Sequence, residues 1–416
     1  MPKKTISLIF NKKMLLTLAF GFASGLPLGL SGATLQTWYK VEGVSIVTIG
    51  LLALVGQPYV YKFIWAPLMD NVVLPWGGRR RGWMFVTQLG IIGTLLVMAN
   101  LSPASMPGWM ALLALCLAFF SASQDIVIDA YRTELLSPEE RGTGAAMYVT
   151  GYRVAMLVSG GLALILADIF GFGLTFAMMA ALMGLGCIAT LLSEEPKIYD
   201  QPAPNFRTAV IEPFHEFLSR PSAWLLLVLI IYYKLGDAFA GALTNVFLLD
   251  LGFSLKEIGL TNKTVGLIAT LAGAFVGGVL LSRIRLFTAL FWFGALQAVS
   301  NLVYMGLAEI GLNHSWMVGA IFLENFCGGM GTAAFLAFIM SLCDLRYTAT
   351  QFALLTALSA IGRVYITPVA GWMVERMGWL QFFLWTFLIA LPCLVLIWFL
   401  QRPIEAGSKV KQLDIA

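Results

Sequence analysis

The chain has 416 residues, of which 59% are hydrophobic and only 12% are charged, and its formal net charge is +4. Because so few charged side chains cannot cover a water-soluble globule, the composition excludes an ordinary soluble protein. It predicts a protein that lies in a lipid bilayer.

The apolar residues fall into twelve long runs. A helix needs about 20 apolar residues to cross the hydrocarbon core of a bilayer, and each run has roughly that length. The predicted spans cover residues 14–34, 46–66, 83–102, 108–131, 143–167, 172–192, 223–248, 257–281, 286–308, 315–341, 350–372 and 379–400. The chain is therefore predicted to be an all-α integral membrane protein with twelve transmembrane helices.

The positively charged residues are unequally distributed between the two sets of loops. The termini and the loops that precede odd-numbered spans contain most of the 26 Lys and Arg residues, whereas the opposite loops contain only Lys40, Lys256 and Arg376. Because positively charged loops resist translocation, both termini are predicted to be cytoplasmic. This loop bias also accounts for the net charge, and we expect no nucleic-acid partner.

Two pairs of segments repeat at nearly the same offset along the chain. "GVSIVTIGL" (43–51) matches "GFSLKEIGL" (252–260), and "GYRVAMLVSGG" (151–161) matches "GRVYITPVAG" (362–371). Two unrelated pairs with a common offset indicate a duplicated unit of six spans. Parallel six-span halves are the architecture of major facilitator transporters, so the sequence predicts that fold.

The repeat also predicts how the chain is divided. We expect a six-helix bundle at residues 1–193, a second one at 223–402 and a cytoplasmic tail at 403–416. A polar segment with several prolines, residues 194–222, separates the bundles and is predicted to be a cytoplasmic linker.

One loop resembles a signature of major facilitator proteins. "APLMDNVVLPWGGRRRGW" (66–83) places an Asp before a basic cluster, although an insertion separates the two. The resemblance implies a cytoplasmic gate in which Asp70 pairs with Arg141 or with a helix end. An anchor on the positively charged side of the membrane accounts equally well for the three arginines. The predicted gating residues are Asp70, Arg79, Arg80, Arg81 and Arg141.

A larger set of segments resembles the AmpG family of muropeptide permeases. The segments occur in family order across nearly all of residues 14–372: "GFASGLPLGLSGATLQTW", "VGQPYVYKFIWAPLMD", "GRRRGW", "SASQDIVIDAYRTELLSPEERGTGAA", "YKLGDAFA", "NKTVGLIAT", "ENFCGGMGT" and "ATQFALLTALSAIGRVY". The resemblance implies proton-driven import of GlcNAc-1,6-anhydroMurNAc peptides from the periplasm across the bacterial inner membrane. It implies a role in cell-wall recycling and, in some bacteria, in β-lactamase induction. A related facilitator that imports another anionic metabolite, such as a siderophore or acetyl-coenzyme A, is the alternative.

Several ionisable residues lie within the predicted spans. A charge at the bilayer centre costs on the order of 2.5 to 3.5 kcal/mol, so such residues normally face a cavity or a partner. The set comprises Lys62, Asp125, Asp129, Arg153, Lys234, Asp237, Lys263, Glu324 and Arg363. The pattern predicts a polar central cavity.

Asp125 and Asp129 are four residues apart, so they share one face of the fourth helix. Two close carboxylates resist simultaneous ionisation, and such a carboxyl can take up a proton from one side and release it to the other. We therefore predict that Asp125, with Gln124 beside it, is a substrate or proton site and a candidate for coupling transport to protons. A structural ion pair of Asp125 with Arg153 or Lys62, and of Asp129 with Arg132, is the alternative.

The second half contains further candidates. Lys234 and Asp237 are three residues apart, which suits either a local salt bridge or a site that binds an anionic substrate and releases it on protonation. Glu324 and Lys263 remain open between a site and an interhelical pair. The predicted proton-coupling residues are Asp125, Asp129, Asp237 and Glu324.

An anionic sugar-peptide substrate needs cations, amides and flat aromatic faces. Arg153 and Arg363, which the repeat aligns, are suited to fork onto a carboxylate or to brace an acidic side chain. Tyr59 and Tyr152 offer aromatic faces, although aromatic residues in spans more often belong to the core or the interfacial belt. The predicted substrate-binding residues are Gln57, Tyr59, Lys62, Gln124, Tyr152, Arg153, Lys234, Asn262, Lys263 and Arg363.

The sequence lacks the motifs of other classes of membrane protein. The sequence has no zinc-binding HExxH pattern, no GxSxG nucleophile motif and no Walker loop, so neither an enzyme nor an ATP-driven pump is expected. We expect no catalytic residues, no metal and no cofactor. The expected partners are the anhydromuropeptide substrate, protons and membrane lipid, and no obligate protein partner is inferred.

Overall fold

The computed structural model of the protein describes residues 11–75, 77–136, 141–196, 212–220, 222–281, 283–342 and 348–405. Within these ranges the regular secondary structure is helical, and the only β-type pairing described is an isolated bridge between Leu74 and Gly78. The all-α prediction is thus confirmed for the described residues.

The described residues of the first half of the chain form ten α-helices, and some spans are divided into more than one of these helices. They are α1 Lys12–Ser31, α2 Ala33–Val41, α3 Ile46–Leu51, α4 Gln57–Tyr61, α5 Ala66–Asn71, α6 Arg81–Ala99, α7 Pro107–Leu135, α8 Arg141–Leu157, α9 Ala163–Phe170 and α10 Phe172–Leu192.

The described residues of the second half form ten more. They are α11 Glu212–Leu218, α12 Ala223–Tyr233, α13 Leu235–Ala242, α14 Thr244–Asp250, α15 Leu255–Thr261, α16 Leu267–Leu281, α17 Leu286–Ile310, α18 His314–Leu342, α19 Thr348–Ile361 and α20 Pro368–Phe399.

Ten helical stretches of the described chain are long and apolar enough to cross a membrane. One of them, Leu354–Phe399, is bent at Gly378, whose φ of 76° lies in the left-handed region that favours glycine. The predicted second span is instead a shorter apolar stretch, Ile46–Tyr61, which the 3₁₀ segment Leu52–Gly56 interrupts and a second 3₁₀ segment, Lys62–Ile64, follows. The predicted number of twelve spans therefore stays a prediction, whereas most predicted boundaries lie within a few residues of the observed ones.

The chain divides into two compact units. The first comprises Met1–Val44, Val55–Ala203 and Ser254–Leu260, and the second comprises Ser45–Leu54, Pro204–Phe253 and Thr261–Ala416. Each unit thus includes a short segment from the other half of the sequence. The predicted division into residues 1–193 and 223–402 stays a prediction.

In each unit, one copy of the first repeated segment contacts one copy of the second repeated segment. In the second unit Gly50 packs against Gly371, and in the first unit Gly259 packs against the carbonyl oxygen of Gly161. A Cβ on Gly259 would lie 2.6 Å from that oxygen, so only glycine allows this approach.

The first unit is built around a close pairing of α1 with α8. Of three glycines spaced four apart in α1, Gly21 and Gly25 face α8, and Gly29 faces Ser159 in the π-helical segment that follows α8. A Cβ at Gly21 would overlap the carbonyl oxygen of Tyr148, and one at Gly25 would crowd the carbonyl oxygen of Tyr152. Small residues allow helix backbones to approach closely in a membrane, so this ridge fixes the position of α8.

We expect the substitution Gly21→Ala to destabilise the folded protein by roughly 1 to 3 kcal/mol, because the added methyl forces two backbones apart. The measurement is the thermal unfolding midpoint of the detergent-solubilised protein. Gly93→Ala is the matched control, since a Cβ at Gly93 meets nothing within 4 Å. Equal midpoints for the two variants would contradict the prediction.

The second unit has its own apolar core. Phe293 of α17 and Phe335 of α18 belong to a buried cluster that also includes Ile230 of α12 and Ile397 of α20. The ring of Tyr233 stacks on Phe335 with centroids 5.4 Å apart. This packing holds the end of α12, and with it the residues that follow Tyr233, in a fixed position.

Several helices depart from α geometry at defined places. Three segments, Val158–Leu162, Asn262–Gly266 and Gly362–Ile366, are π-helical. The seventh predicted span is broken at Lys234 and again at Leu243. Because π segments and helix breaks occur frequently at functional sites, they direct attention to the polar residues beside them.

Candidate functional site

The first unit contains a buried amide whose polar atoms are both unpartnered. Gln124 of α7 is 0% exposed, and neither its oxygen nor its nitrogen has a hydrogen-bond partner among the described residues. An unsatisfied buried polar group destabilises the folded state by about 1 to 3 kcal/mol. The Gln124 amide therefore destabilises the fold unless a ligand or a water molecule forms hydrogen bonds with it.

The carboxyl of Asp125 lies next to this amide in the chain. Its Oδ1 atom is buried and likewise has no hydrogen-bond partner within the described part of the chain. The carboxyl interacts electrostatically with Lys62 and Asp129, and Ser24 is its neighbouring hydroxyl. The structure thus brings together three of the predicted site residues, Lys62, Asp125 and Asp129.

Aromatic hydroxyls surround this carboxyl. Tyr59 and Tyr148 both interact electrostatically with Asp125, and Tyr59 also interacts with Tyr152. The Tyr59 hydroxyl is buried and has no hydrogen-bond partner in the ranges that the structure describes. The predicted residues Tyr59 and Tyr152 therefore lie at the Asp125 site.

Asp129 has a different environment from Asp125. Its carboxylate forms an ion pair of 2.9 Å with Arg132, and the Asp129 side chain is 46% exposed. The guanidinium of Arg132 also lies 4.2 Å from the centre of the Tyr148 ring. The structural alternative left open for Asp129 is the one observed, and the two carboxylates differ in partner and exposure.

The second unit holds a second charged cluster at the break between α12 and α13. Lys234 Nζ lies 3.3 Å from Asp237 Oδ2 and donates to the Thr332 hydroxyl at 2.9 Å. Glu324 interacts electrostatically with both Lys234 and Asp237, and it accepts a hydrogen bond of 2.9 Å from Asn325. The structure therefore joins Lys234, Asp237 and Glu324, and the local salt bridge, one of the two alternatives for Lys234 and Asp237, is formed.

The other predicted substrate-binding residues lie outside these two clusters. Arg153, Lys263 and Arg363 are exposed, the latter two within π segments. Asn262 donates to Asn245 at 3.2 Å. Gln57 lines a mostly apolar cavity of about 400 Å³ in the first unit, together with Tyr61, Trp65, Phe119 and Phe120.

Three of the predicted gating arginines, Arg79, Arg80 and Arg81, form a compact polar cluster at one end of the first unit. Arg80 is only 5% exposed and binds both carboxylate oxygens of Glu134, with the shortest distance 2.6 Å. Arg79 reaches the same carboxylate at 3.0 Å. The arginines therefore do more than mark one side of the membrane, because they tie the α6 start to the end of α7.

A second carboxylate completes this cluster. The side chain of Glu195 accepts hydrogen bonds from the backbone N–H groups of Arg80, at 2.7 Å, and Arg81, at 3.0 Å. Arg81 in turn donates to the carbonyl oxygens of Thr190 and Leu191 at the end of α10. Glu195 thus satisfies N–H groups at the beginning of α6 that have no partner within the helix.

The proposed pairing of Asp70 with Arg141 lies outside the described residues, since neither side chain is described. Sequence analysis also missed Glu134, Glu195 and Ser24. Glu134 lies in the same quoted motif as Asp125, and its position near the end of a span opposite three arginines was the available signal. Nothing in the sequence alone marks Glu195 or Ser24.

The chain is similar to members of a known transporter family. The family model of the Major Facilitator Superfamily matches residues 14–367. The anhydromuropeptide permease of Escherichia coli strain K12 is 49% identical over 408 residues, which cover 97% of this chain and 83% of that protein. An uncharacterized protein of Haemophilus influenzae is 37% identical over 411 residues, covering 96% of this chain and 97% of that protein.

Solved structures agree on the fold. A variant of the nucleoside transporter NupG superimposes with a TM-score of 0.73 at 13% identity, covering 93% of this chain and 99% of that chain. At this identity the likeness shows the fold alone.

Proposed function

The chain belongs to the major facilitator superfamily and, within it, to the AmpG family. On that premise we propose that it imports anhydromuropeptides and that an inward proton gradient drives this import. It is a multi-pass membrane transporter of the secondary type. The observation that supports the cargo is the 49% identity to the Escherichia coli permease along nearly the whole chain.

Proton coupling is supported by the environment of Asp125. A carboxyl that lies in the membrane beside an unpartnered amide, with Lys62 near but not neutralising it by direct contact, can exist in protonated and ionised forms. In the proposed cycle a periplasmic proton neutralises Asp125 and the carrier opens inward. Asp237 and Glu324 form the second proton-responsive group, and Lys234 then loses its hold on the anionic substrate.

The proposal includes a location and a gate. We place the chain in the bacterial inner membrane with both termini cytoplasmic, which follows from the loop charges. The cluster of Arg79, Arg80 and Glu134 then lies on the cytoplasmic side, where we propose that it forms part of the cytoplasmic gate by holding the start of α6 to the end of α7. Imported anhydromuropeptides would serve cell-wall recycling, with a link to β-lactamase induction where the host has that response.

The test is uptake of radiolabelled anhydromuropeptide into right-side-out vesicles, with and without an inward proton gradient. Uptake that needs the gradient and is competed by unlabelled anhydromuropeptide supports both the cargo and the coupling. Absence of anhydromuropeptide uptake, together with gradient-driven uptake of a labelled siderophore or of labelled acetyl-coenzyme A, would replace the cargo. Uptake that a protonophore leaves unchanged would remove proton coupling from the proposal.

A second prediction concerns Gln124. Because both of its polar atoms are buried without partners, we expect Gln124→Leu to leave the free energy of unfolding unchanged or to raise it by about 1 kcal/mol. Uptake should nevertheless fall at least tenfold, roughly 1.4 kcal/mol in transport efficiency, if the amide binds substrate or a proton-carrying water.

Gln88→Leu is the matched control. Gln88 is also 0% exposed, but its oxygen accepts a hydrogen bond of 2.9 Å from Thr190, so its loss should destabilise the fold while sparing uptake per folded molecule. Melting midpoints and vesicle uptake are measured on both variants. A Gln124→Leu protein with normal uptake would make the amide a packing residue.

A further inference from the structure

A small cavity lies behind the charged cluster of the second unit. It has a volume of about 20 Å³ and is lined by Tyr233, Asp237, Gln297, Asn301 and Cys393, among others. One water molecule needs roughly 10 to 15 Å³ by the same kind of measure, together with two to four polar partners. The cavity therefore has room for a single water, and whether it is wet depends on the polar atoms around it.

Two buried amides of α17 supply hydrogen-bond donors to this cavity. Gln297 is 5% exposed and Asn301 is 2% exposed. The amide nitrogens Nε2 of Gln297 and Nδ2 of Asn301 are buried, and neither has a hydrogen-bond partner among the described residues. Because an unmade hydrogen bond of this kind is costly, two of them on one helix at one cavity point to an unseen acceptor.

The acceptor side of the cavity is Asp237. A Cβ built on Gly328 would lie 3.7 Å from Gln297 Nε2 and 3.9 Å from Asp237 Oδ1, so the amide nitrogen and the carboxylate oxygen both approach this position of α18. The other carboxylate oxygen, Oδ2, faces Lys234. Asp237 thus has the lysine on one side and the amide-lined cavity on the other.

The donor and acceptor set selects the ligand. A metal cation is disfavoured because the unpartnered atoms are N–H donors, and an anion is disfavoured because a carboxylate lines the same space. Water both accepts from amide nitrogens and donates to a carboxylate oxygen. It is the only common small ligand that satisfies all of these groups at once.

We propose that this cavity holds an ordered water molecule, which accepts hydrogen bonds from Gln297 and Asn301 and donates one to Asp237. Gln297 and Asn301 are then positioning residues for the Asp237 carboxyl. The water gives that carboxyl a partner other than Lys234, so the lysine can leave for an anionic substrate without exposing a bare carboxylate to an apolar interior.

The transport consequence rests on the proposed function, whereas the water itself does not. The charged and titratable groups that face Asp237 are Lys234, Glu324, Tyr233 and Tyr304, and Cys393 faces the same cavity. The substitution of Asn301 removes none of these groups. A shift caused by Asn301→Leu therefore reports on the water rather than on a lost charge.

The direct test is radiolytic hydroxyl-radical labelling of the detergent-solubilised protein after rapid mixing with ¹⁸O-water. A bound water produces labelling of Tyr233 and Cys393 that retains ¹⁶O from the slowly exchanging molecule. We expect this labelling in the wild-type protein and its loss in two variants. Asn301→Leu removes a donor at nearly constant shape, and Gly328→Ala adds a methyl that contacts both Gln297 and Asp237 at ordinary van der Waals distances.

Two controls separate loss of the water from general damage. Ser300→Ala changes a similarly buried neighbour whose hydroxyl donates to the carbonyl oxygen of Gln297, and Gly319→Ala adds a methyl elsewhere on α18 that meets nothing within 4 Å. Both should label like the wild type. An unlabelled, folded wild-type protein, or labelling unchanged in both Asn301→Leu and Gly328→Ala, would overturn the proposal.

Uptake against pH provides the second readout. We expect Asn301→Leu to move the midpoint of the uptake profile by roughly one pH unit, a tenfold change in proton concentration, with Ser300→Ala unmoved. Labelling that behaves as expected with no uptake in any protein would leave the water standing and sink the proposed cargo. Normal gradient-driven uptake of anhydromuropeptide by a protein whose Tyr233 and Cys393 are not labelled would support the proposed function and overturn the proposed water.

Discussion

Asp125→Asn should abolish gradient-driven uptake of anhydromuropeptide while leaving the protein folded. Asparagine keeps the shape and hydrogen-bonding capacity of the side chain but cannot carry a proton between the two sides. Because Oδ1 of Asp125 already has no hydrogen-bond partner within the described chain, no structural contact of that atom is lost. We expect uptake driven by a proton gradient to fall by about a hundredfold or more, roughly 2.7 kcal/mol.

Exchange of labelled for unlabelled substrate at equal pH distinguishes coupling from binding. This exchange needs substrate binding and carrier movement but no net proton transfer, so the Asp125→Asn protein should retain it. Loss of exchange together with uptake would instead give Asp125 a role in binding or folding.

Asp129→Asn is the comparison variant. Asp129 is 46% exposed and paired with Arg132, so we expect a much smaller effect on uptake. Equal losses for Asp125→Asn and Asp129→Asn would mean that the two carboxylates titrate as one unit.

The second large effect is expected at Glu134. Glu134→Ala removes the carboxylate that binds the buried guanidinium of Arg80, and a hydrogen bond to a charged group contributes roughly 1.5 to 3 kcal/mol to stability. We expect the free energy of unfolding to fall by about 3 kcal/mol in a denaturant or thermal assay. Glu216→Ala is the control, because its partner Arg220 is 28% exposed and remains solvated.

The same ion pair predicts a pH dependence. Burial alone would raise the pKa of Glu134, but hydrogen bonds from Arg80 and the charges of Arg80 and Arg79 outweigh it, so the pKa lies below its usual range. A lowered pKa means that the pair stabilises the folded state above the unfolded pKa of about 4.3 and ceases to do so as the pH falls toward the lowered value. The stability difference between wild type and Glu134→Gln should therefore be constant near neutral pH and shrink below about pH 4. A difference that grows on acidification would contradict this assignment.

The membrane class and the major facilitator fold could be predicted from the sequence, and both are confirmed. Apolar length is a direct consequence of bilayer thickness, which is why the span at Phe172–Leu192 coincides with its prediction. Residues three or four apart are also predictable neighbours, so the approach of Lys234 to Asp237 followed from spacing alone.

Contacts between distant segments could not be predicted in the same way. The approach of Glu134 to Arg80 and of Glu195 to the start of α6 depends on how three helix ends are packed, and no local pattern encodes it. The breaks in the second and seventh spans were missed because hydropathy measures apolar length and is insensitive to backbone geometry. The unpartnered amides of Gln124, Gln297 and Asn301 become visible only when burial is known atom by atom.

The break in the seventh span at Lys234 has an electrostatic consequence for the backbone. α12 ends at Tyr233 and α13 begins at Leu235, so the partial negative charge of one helix end and the partial positive charge of the next meet at this point. Lys234 lies at the negative end of α12, and Asp237 lies in the first turn of α13, at its positive end. Each side chain thus faces a helix dipole of opposite sign. If either charge is neutralised during a transport cycle, the peptide groups of the facing helix end still stabilise the other charge. The stability of these charged side chains within the membrane therefore does not depend on the salt bridge alone.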